Sequence, residues 1–400
     1  MHTIDTDVVI FGGGIAGLWT LNVLRQAGFE AILLESTALG EGQTLRSQGI
    51  IHGGMKYALS GLLSPDAEAI ADMPALWRQC LNGQGPVDLR KVKVLSEHHY
   101  MWSESSLAAR LTTFFGSKML RGRIEAVTGE ARPSLLQSPS FKGTVYRLND
   151  MVLDVPSLIT TLANQHLDHI YQISSPNCLI EVDDHHHTRA IVLTRHQKEP
   201  LKILPKWLVL AAGKGNQELM LHLGLQSPAM QIRPLHMVLM KQKGLPPFYA
   251  HCIGTSSKPR LTITSHPCSD GDLLWYFGGE LAEQGVERDT QMQIEEAQRE
   301  LRHLFPWVDH SGARWKTLRI DRAEPEQEQF MKPDHAFARL CGNAVVAWPT
   351  KLALAPNLAQ QILALLQAQG AKPVAAPLTK RLDLPLPPFG PTLEQLMRNL

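Results

Sequence analysis

The stretch TLRSQGIIHGGM, Thr44 to Met55, sets a guanidinium, two hydroxyls, an amide and an imidazole among three glycines. It is too polar and too rich in glycine for a core element. Thr44, Arg46, Ser47 and Gln48 offer side-chain and amide donors to phosphate or polyol oxygens. Gly49, Gly53 and Gly54 let the backbone lie flat against a planar ligand. His52 is pinned between Ile51 and the pair Gly53-Gly54.

A second constellation precedes it. In DTDVVIFGGGIAGLWTLNVLRQAGFEAILLE, the apolar run Asp7 to Phe11 reads as a strand, and Gly12, Gly14 and Gly17 fall where it hands over to a helix. This G-x-G-x-x-G spacing makes a tight turn, admits a pyrophosphate to the backbone and lets helix pack on sheet. The diphosphate would sit at the positive end of the helix, on the amides of residues such as Ile15 and Ala16. Leu18, Leu21, Val23 and Leu24 form the inward helix face, and Gly28 ends it. The strand AILLE then carries Glu35 at its tip, followed by Ser36. An acid about 20 residues past the glycines accepts ribose hydroxyls and disfavours a 2′-phosphate, leaving FAD or NAD. The alternative reading is a glycine-rich turn that binds no nucleotide.

Elements further on must complete such a site. LPKWLVLAAGKGNQELM contains a strand, Trp207 to Ala211, that runs into the small-residue turn Ala212-Gly213-Lys214-Gly215 before a helix. Upstream, LDVPSLITTLANQH predicts a helix from near Pro156 with Asp154 as its cap. NAVVAWPTKLALAPNLAQQILALLQAQG reads as a strand over Ala344 to Ala347, a loop over Trp348 to Leu354, and a helix from Pro356. A helix N-terminus and loop amides at Thr350, Lys351 and Leu352 would stabilise negative charge on a reduced flavin, which NAD would not require.

Together these segments resemble the D-amino-acid oxidase and glycine oxidase superfamily of FAD-dependent oxidoreductases, whose glycerol-3-phosphate dehydrogenase and L-2-hydroxyglutarate dehydrogenase branches are also similar. The resemblance runs from Thr6 to about Gly370. TKLALAP is similar to the superfamily's flavin-binding loop, and SQGIIHGGM to its segment behind the flavin ring. The resemblance implies FAD and a fold of mixed class, α/β and α+β: a Rossmann-like FAD-binding domain of glutathione-reductase type with a second, mixed-sheet substrate domain. The FAD-binding domain is expected from residues 1–82, 150–225 and 335–372, the substrate domain from 83–149 and 226–334, and a tail from 373–400. RKVKVLSEHHYMW alternates like a strand, as do IRPLHMVLM and LLWYFGG, and a helix is expected over Gln291 to Leu304.

On the substrate side, RWKTLRIDRAE is similar to the strand that carries the family's carboxylate-gripping arginine, with Arg319 at the matching place. A guanidinium fork would hold a carboxylate and aim its neighbouring C–H at the flavin. The alternatives are Arg322, on the opposite strand face, and an ordinary arginine paired with Asp321 or Glu324. Tyr276 would hydrogen-bond substrate or simply pack, and His236 and Lys332 are weaker candidates. Lys351 would stabilise anionic reduced flavin, although the glycine-oxidase pattern has a small residue there. His52 has three readings: a hydrogen-bonding residue near the flavin, a covalent attachment point, or a packed histidine facing away. DDHHHT invites a metal reading, but strand-like flanks make it a hairpin turn.

Composition adds exclusions. The chain has 400 residues, 44% of them hydrophobic, and a formal charge of +1 that gives no reason to expect nucleic acid. Five scattered cysteines without CxxC spacing argue against a metal cluster or a disulfide framework. No run reaches the roughly 18 apolar residues of a membrane span, so a cytoplasmic protein is expected, with peripheral contact at the inner membrane face left open. The leading expectation is hydride removal from a carbon bearing an amine in a small carboxylate-bearing substrate, with oxygen or another acceptor reoxidising the flavin. The runner-up is dehydrogenation of a 2-hydroxy acid or glycerol-phosphate-like substrate, in one form quinone-coupled, and a flavoprotein with little turnover is the non-enzymatic alternative. Oligomeric state stays open.

Overall fold

A computed structural model describes residues 2–53, 70–104, 124–174, 177–256, 258–326, 335–374 and 381–398. Gly54, Met55 and Lys332 lie outside the described residues.

The first motif folds as its pattern dictates. β1 (His2–Phe11) leads into α1 (Ile15–Gln26) and then β2 (Ala31–Glu35), which pairs parallel with β1. Gly28, at φ +89°, turns the chain out of the helix. On its other side β1 pairs parallel with the strand Lys198–Leu210, which in turn pairs parallel with Ala344–Trp348. Registers place Phe11 opposite Leu34 and Leu210, and Leu210 opposite Val346. Four parallel strands therefore end on one line, where the glycine turn, Glu35, Ala211–Gly213 and Trp348–Lys351 begin. In open α/β sheets that carboxyl-end crevice is where ligands bind.

Alternation along these strands feeds two cores. Val8, Ile10, Leu33, Val209 and Val345 share one with α1 and the helices Val155–Asn164 and Ala355–Ala368. Val9, Phe11, Ile32, Leu34, Leu210 and Val346 share the other with Met220 and Leu223. Asp154 caps Val155–Asn164 through Ser157 N at 3.0 Å, as its sequence predicts. The DDHHHT segment turns between antiparallel strands Cys178–Val182 and Thr188–Arg195, with Asp183 accepting from His185 N and His187 N.

The second eight-stranded sheet runs, in order, Arg314–Pro325, Met230–Gln242, Leu273–Gly278, Pro259–Pro267, Ala250–Ile253, His99–Ser103, Thr144–Leu148 and Ile124–Val127. Its pairings are antiparallel except for Ala250–Ile253 against His99–Ser103. The helix Thr290–Leu304 packs Ala297, Leu301 and Leu304 into an aromatic core of Trp102, Phe248, Trp275, Phe277 and Phe305. The alternating run RKVKVLSEHHYMW departs from the single strand expected. Val94–Ser96 joins a small sheet with Ile50–Ile51 and Met151–Leu153, while His99–Ser103 joins the large one. Ser96 Oγ donates to His98 O at 2.6 Å and helps turn the chain between them. Among the described residues, no helix is long and apolar enough to cross a membrane.

Candidate active site

A cavity of about 670 Å³ opens at the carboxyl ends of the parallel strands. Its size falls in the ordinary range for small-molecule and cofactor sites. Among the residues singled out by sequence, Gly12, Gly14, Ile15, Ala16, Glu35, Ser36, Thr44, Arg46, Ser47, Ala212, Gly213, Thr350, Lys351 and Leu352 line it. From the second sheet Arg319, Ile320, Asp321 and Ala323 close one wall.

Gly12 adopts φ +108°, and a Cβ there would stand 2.6 Å from Ala211 O, so only glycine fits this crossing. Gly14, at the cap position of helix α1, brings no side-chain cap, and Thr44 Oγ1 accepts from Ile15 N at 3.2 Å. Its remaining first-turn donors and its dipole suit a phosphate. Glu35 sits at the tip of β2, with Oε2 accepting from Gly13 N at 2.5 Å and Oε1 from Thr37 N at 2.7 Å. Its carboxylate therefore stiffens the glycine turn as well as facing the cavity. Ser47 Oγ is buried with no hydrogen-bond partner among the described residues, a polar atom that a bound polyol or phosphate would satisfy.

The opposite rim is tied together by groups that no motif announces. Asn216 accepts from Ala212 N at 2.8 Å and donates to Ala347 O at 3.1 Å, while Trp348 Nε1 donates to Gly213 O at 3.0 Å. Thr350 holds φ +60°, an uncommon conformation for a β-branched residue, and its hydroxyl donates to His335 O at 2.9 Å. Trp77, fully buried, donates to Ala353 O at 2.9 Å and props the turn after Lys351 from behind.

Three expected cofactor residues stand off this lining. Gly17 packs its Cα against Gly12 O, and Gly49, at φ +72°, against Leu153 O. Gln48 turns toward the second sheet and donates to Tyr276 O at 3.0 Å. Tyr276 itself is fully buried, with its hydroxyl donating to Arg46 O at 2.9 Å and burial pushing the phenol far up. It braces the backbone of Arg46. Arg319 is exposed and donates from its two terminal nitrogens to Val286 O at 2.6 Å and Arg288 O at 2.7 Å. Arg322 donates to Arg233 O, and His236 is buried beside Gly285 O.

His52 leaves the strand Ile50–Ile51, which packs beside the turn Leu352–Leu354. Its Nδ1 meets Asp150 Oδ2 at 3.4 Å, and Asp150 Oδ1 accepts from Gly53 N at 2.8 Å. Burial pushes the Asp150 carboxyl up, but the His52 hydrogen bond and charge, the Gly53 amide and the His99 charge outweigh it and hold the group below its ordinary value. His52 also stacks on His251 at 5.7 Å, and His251 meets His99 at 4.2 Å and Thr262 Oγ1 at 2.8 Å. Sequence reasoning missed Asp150, His99 and His251. The only local trace of Asp150 is an Asn-Asp pair between two strands, which reads as a turn.

The family model for DAO, the FAD dependent oxidoreductases, matches residues 7–345. The chain belongs to this family. A probable FAD-dependent oxidoreductase of Pseudomonas aeruginosa is 48% identical over 392 residues, 97% of each chain. The crystal structure of an FAD dependent oxidoreductase from that organism superposes with a TM-score of 0.85 at 42% identity, covering 99% of both chains. Glycine oxidase from Geobacillus kaustophilus shares the fold at a TM-score of 0.64 and 17% identity, over 91% of this chain and 95% of its own. So does L-α-glycerophosphate oxidase from Mycoplasma pneumoniae, solved with FAD bound, at 0.62 and 16%, over 95% and 98%. FAD is the cofactor of this oxidoreductase, and the glycine turn, the uncapped helix end and the orphaned Ser47 hydroxyl fit it.

Proposed function

We propose that the protein oxidises a small substrate at a carbon bearing a hydroxyl group, with His52 accepting the hydroxyl proton as the hydride leaves that carbon. FAD, when bound, supplies the hydride acceptor. The Asp150–His52 pair carries this reading. A buried carboxylate on Nδ1 favours the tautomer that keeps Nε2 as an acceptor, and it stabilises the imidazolium formed on protonation. An alcohol needs such a base, whereas an amine bound in neutral form does not. The engagement of Arg319 with Val286 O and Arg288 O weakens the case for an amino-acid carboxylate clamp.

In this reading Gly12, Gly14, Ile15 and Ala16 hold the diphosphate, Glu35 and Ser36 the adenosine ribose, and Thr44, Arg46 and Ser47 the phosphate and polyol oxygens. Ala212 and Gly213 approach the dinucleotide through backbone, and Thr350, Lys351 and Leu352 face the flavin pyrimidine. The FAD-binding unit would comprise residues 1–82, 150–225 and 335–372, with 83–149 and 226–334 forming the substrate side.

Anaerobic titration of the yellow protein with 2-hydroxy acids, glycerol phosphate, amino acids and N-methyl amino acids tests the reading. Bleaching of the flavin band by a hydroxy compound, giving a carbonyl product, is expected. Bleaching by an amino compound with release of ammonia or amine would replace it with amine oxidation. Silence across the panel would favour a flavin held for structure. Reoxidation by air against a quinone analogue then identifies the acceptor class.

A further inference from the structure

The tail residues 381–398 cross from one sheet to the other over the loop that lines the cavity. At the start, Arg381 donates to Leu167 O at 2.7 Å and Ile170 O at 3.1 Å and lies over the Tyr171 ring, and Gln172 N donates to Pro385 O at 2.8 Å. The middle adds a backbone bridge: Leu39 N donates to Pro388 O at 2.8 Å, Gly390 N donates to Leu39 O at 2.9 Å, and Leu39 and Phe389 pair parallel. At the end, Leu393 and Met397 bury against Met237, Leu239, Tyr276 and Ile320 on the second sheet, and Lys316 Nζ donates to Leu396 O at 2.7 Å.

Both inner attachments lead to the dinucleotide site. Leu39 is in contact with the glycine turn: a Cβ on Gly13 would meet its side chain at 2.6 Å, and Gly40 N donates to Gly13 O at 2.8 Å. Gly390 fits closely against Leu45 and Glu41, next to Thr44, whose hydroxyl accepts from Ile15 N. On the other route, Leu393 and Met397 pack into the cluster that contains Tyr276, and Tyr276 holds Arg46 O. The strap's middle thereby meets the loop 36–47 at Leu39 and Leu45, and its end packs in the cluster of Tyr276, the residue that holds Arg46 O. Without the strap, the loop would keep its bonds to Gly13 O, Ile15 N and Tyr276 but lose its packing and backbone bridge at Leu39 and Leu45, and more of its ordering would fall to FAD binding.

We propose that this C-terminal strap is a positioning element of the FAD site: it holds the loop 36–47 against the glycine turn and sets how tightly FAD is retained. The proposal is independent of which substrate is oxidised. Its test is the rate of FAD release from the full-length holoprotein, read as recovery of free-flavin fluorescence, in two separate variants. Gly390→Val wedges the strap off Leu45 and Glu41 at the surface, and Leu393→Glu with Met397→Glu detaches the end. Each is expected to release FAD about tenfold faster or more, while apoprotein unfolding for Gly390→Val stays at wild type. Lys198→Ala, which removes only the exposed ion pair with Asp383, is expected to release FAD at the wild-type rate. Wild-type FAD release in both strap variants would overturn the proposal. So would equal losses of apoprotein and holoprotein stability with unchanged FAD release, which would make the tail a general brace.

Discussion

At the scale of single residues, Asp150 and His52 place a buried carboxylate against an imidazole, the pair on which the proposed alcohol oxidation rests. The Asp150 carboxyl is held below its ordinary value in the folded chain. Its contribution to stability is therefore present above the unfolded carboxyl's range near about pH 4 and is lost as pH falls through the lower folded value. Asp150→Asn is expected to cost roughly 1–3 kcal/mol at pH 7, and the deficit is expected to narrow in acid. Urea unfolding at the two pH values measures both. The proposed proton transfer is a separate matter: if His52 is the base, His52→Ala is expected to slow flavin reduction by about a hundredfold or more with FAD still bound, read by anaerobic stopped flow. A rate unchanged by His52→Ala would remove the alcohol reading and leave the imidazole a packed neighbour of His251.

At the scale of elements, the site is built by strand ends and by the side chains that tie them. Trp77→Phe leaves Ala353 O buried without its donor and is expected to cost about 1–3 kcal/mol. Because that turn follows Lys351, a shift in the bound flavin's absorbance should accompany the loss, and an unperturbed spectrum would mean that the turn is held by other contacts. What the sequence made legible follows the range of each interaction. The glycine turn, the Asp154 cap and the Asp183 hairpin are settled within a few residues, so periodicity and residue type expose them. The split of RKVKVLSEHHYMW between two sheets depends on partners at Met151–Leu153 and Ala250–Ile253, which alternation along one strand cannot reveal. Asp150 finds His52 across 98 residues and Tyr276 finds Arg46 across 230, so neither pair leaves a local pattern. The same holds for Arg319, whose acceptors at Val286 and Arg288 belong to a loop outside its own strand.

At the scale of the whole molecule, the cavity lies at the carboxyl ends of the parallel strands with the strand Arg314–Pro325 of the second sheet at one wall, and one of the five cysteines reports on it. The thiols of Cys80, Cys178, Cys252, Cys268 and Cys341 are free, and burial pushes each of them up, Cys178 and Cys268 to about 11. With the thiolate as the reacting species, the raised Cys178 thiol is mostly protonated and slow to react at neutral pH. Native holoprotein should therefore label slowly with Ellman's reagent, and the denatured chain should give all five thiols quickly. Cys178 is distinct because it lines the cavity. Removing FAD opens that wall to water and reagent, so the apoprotein should gain one faster-labelling thiol, lost in Cys178→Ser and suppressed when FAD is added back. The concentration of FAD that suppresses it should match the one that quenches free-flavin fluorescence. If Cys178 labels at the same rate with and without FAD, the cofactor does not fill the end of the cavity near Cys178 and Ile180, and the placement of the adenosine ribose at Glu35 and Ser36 fails with it.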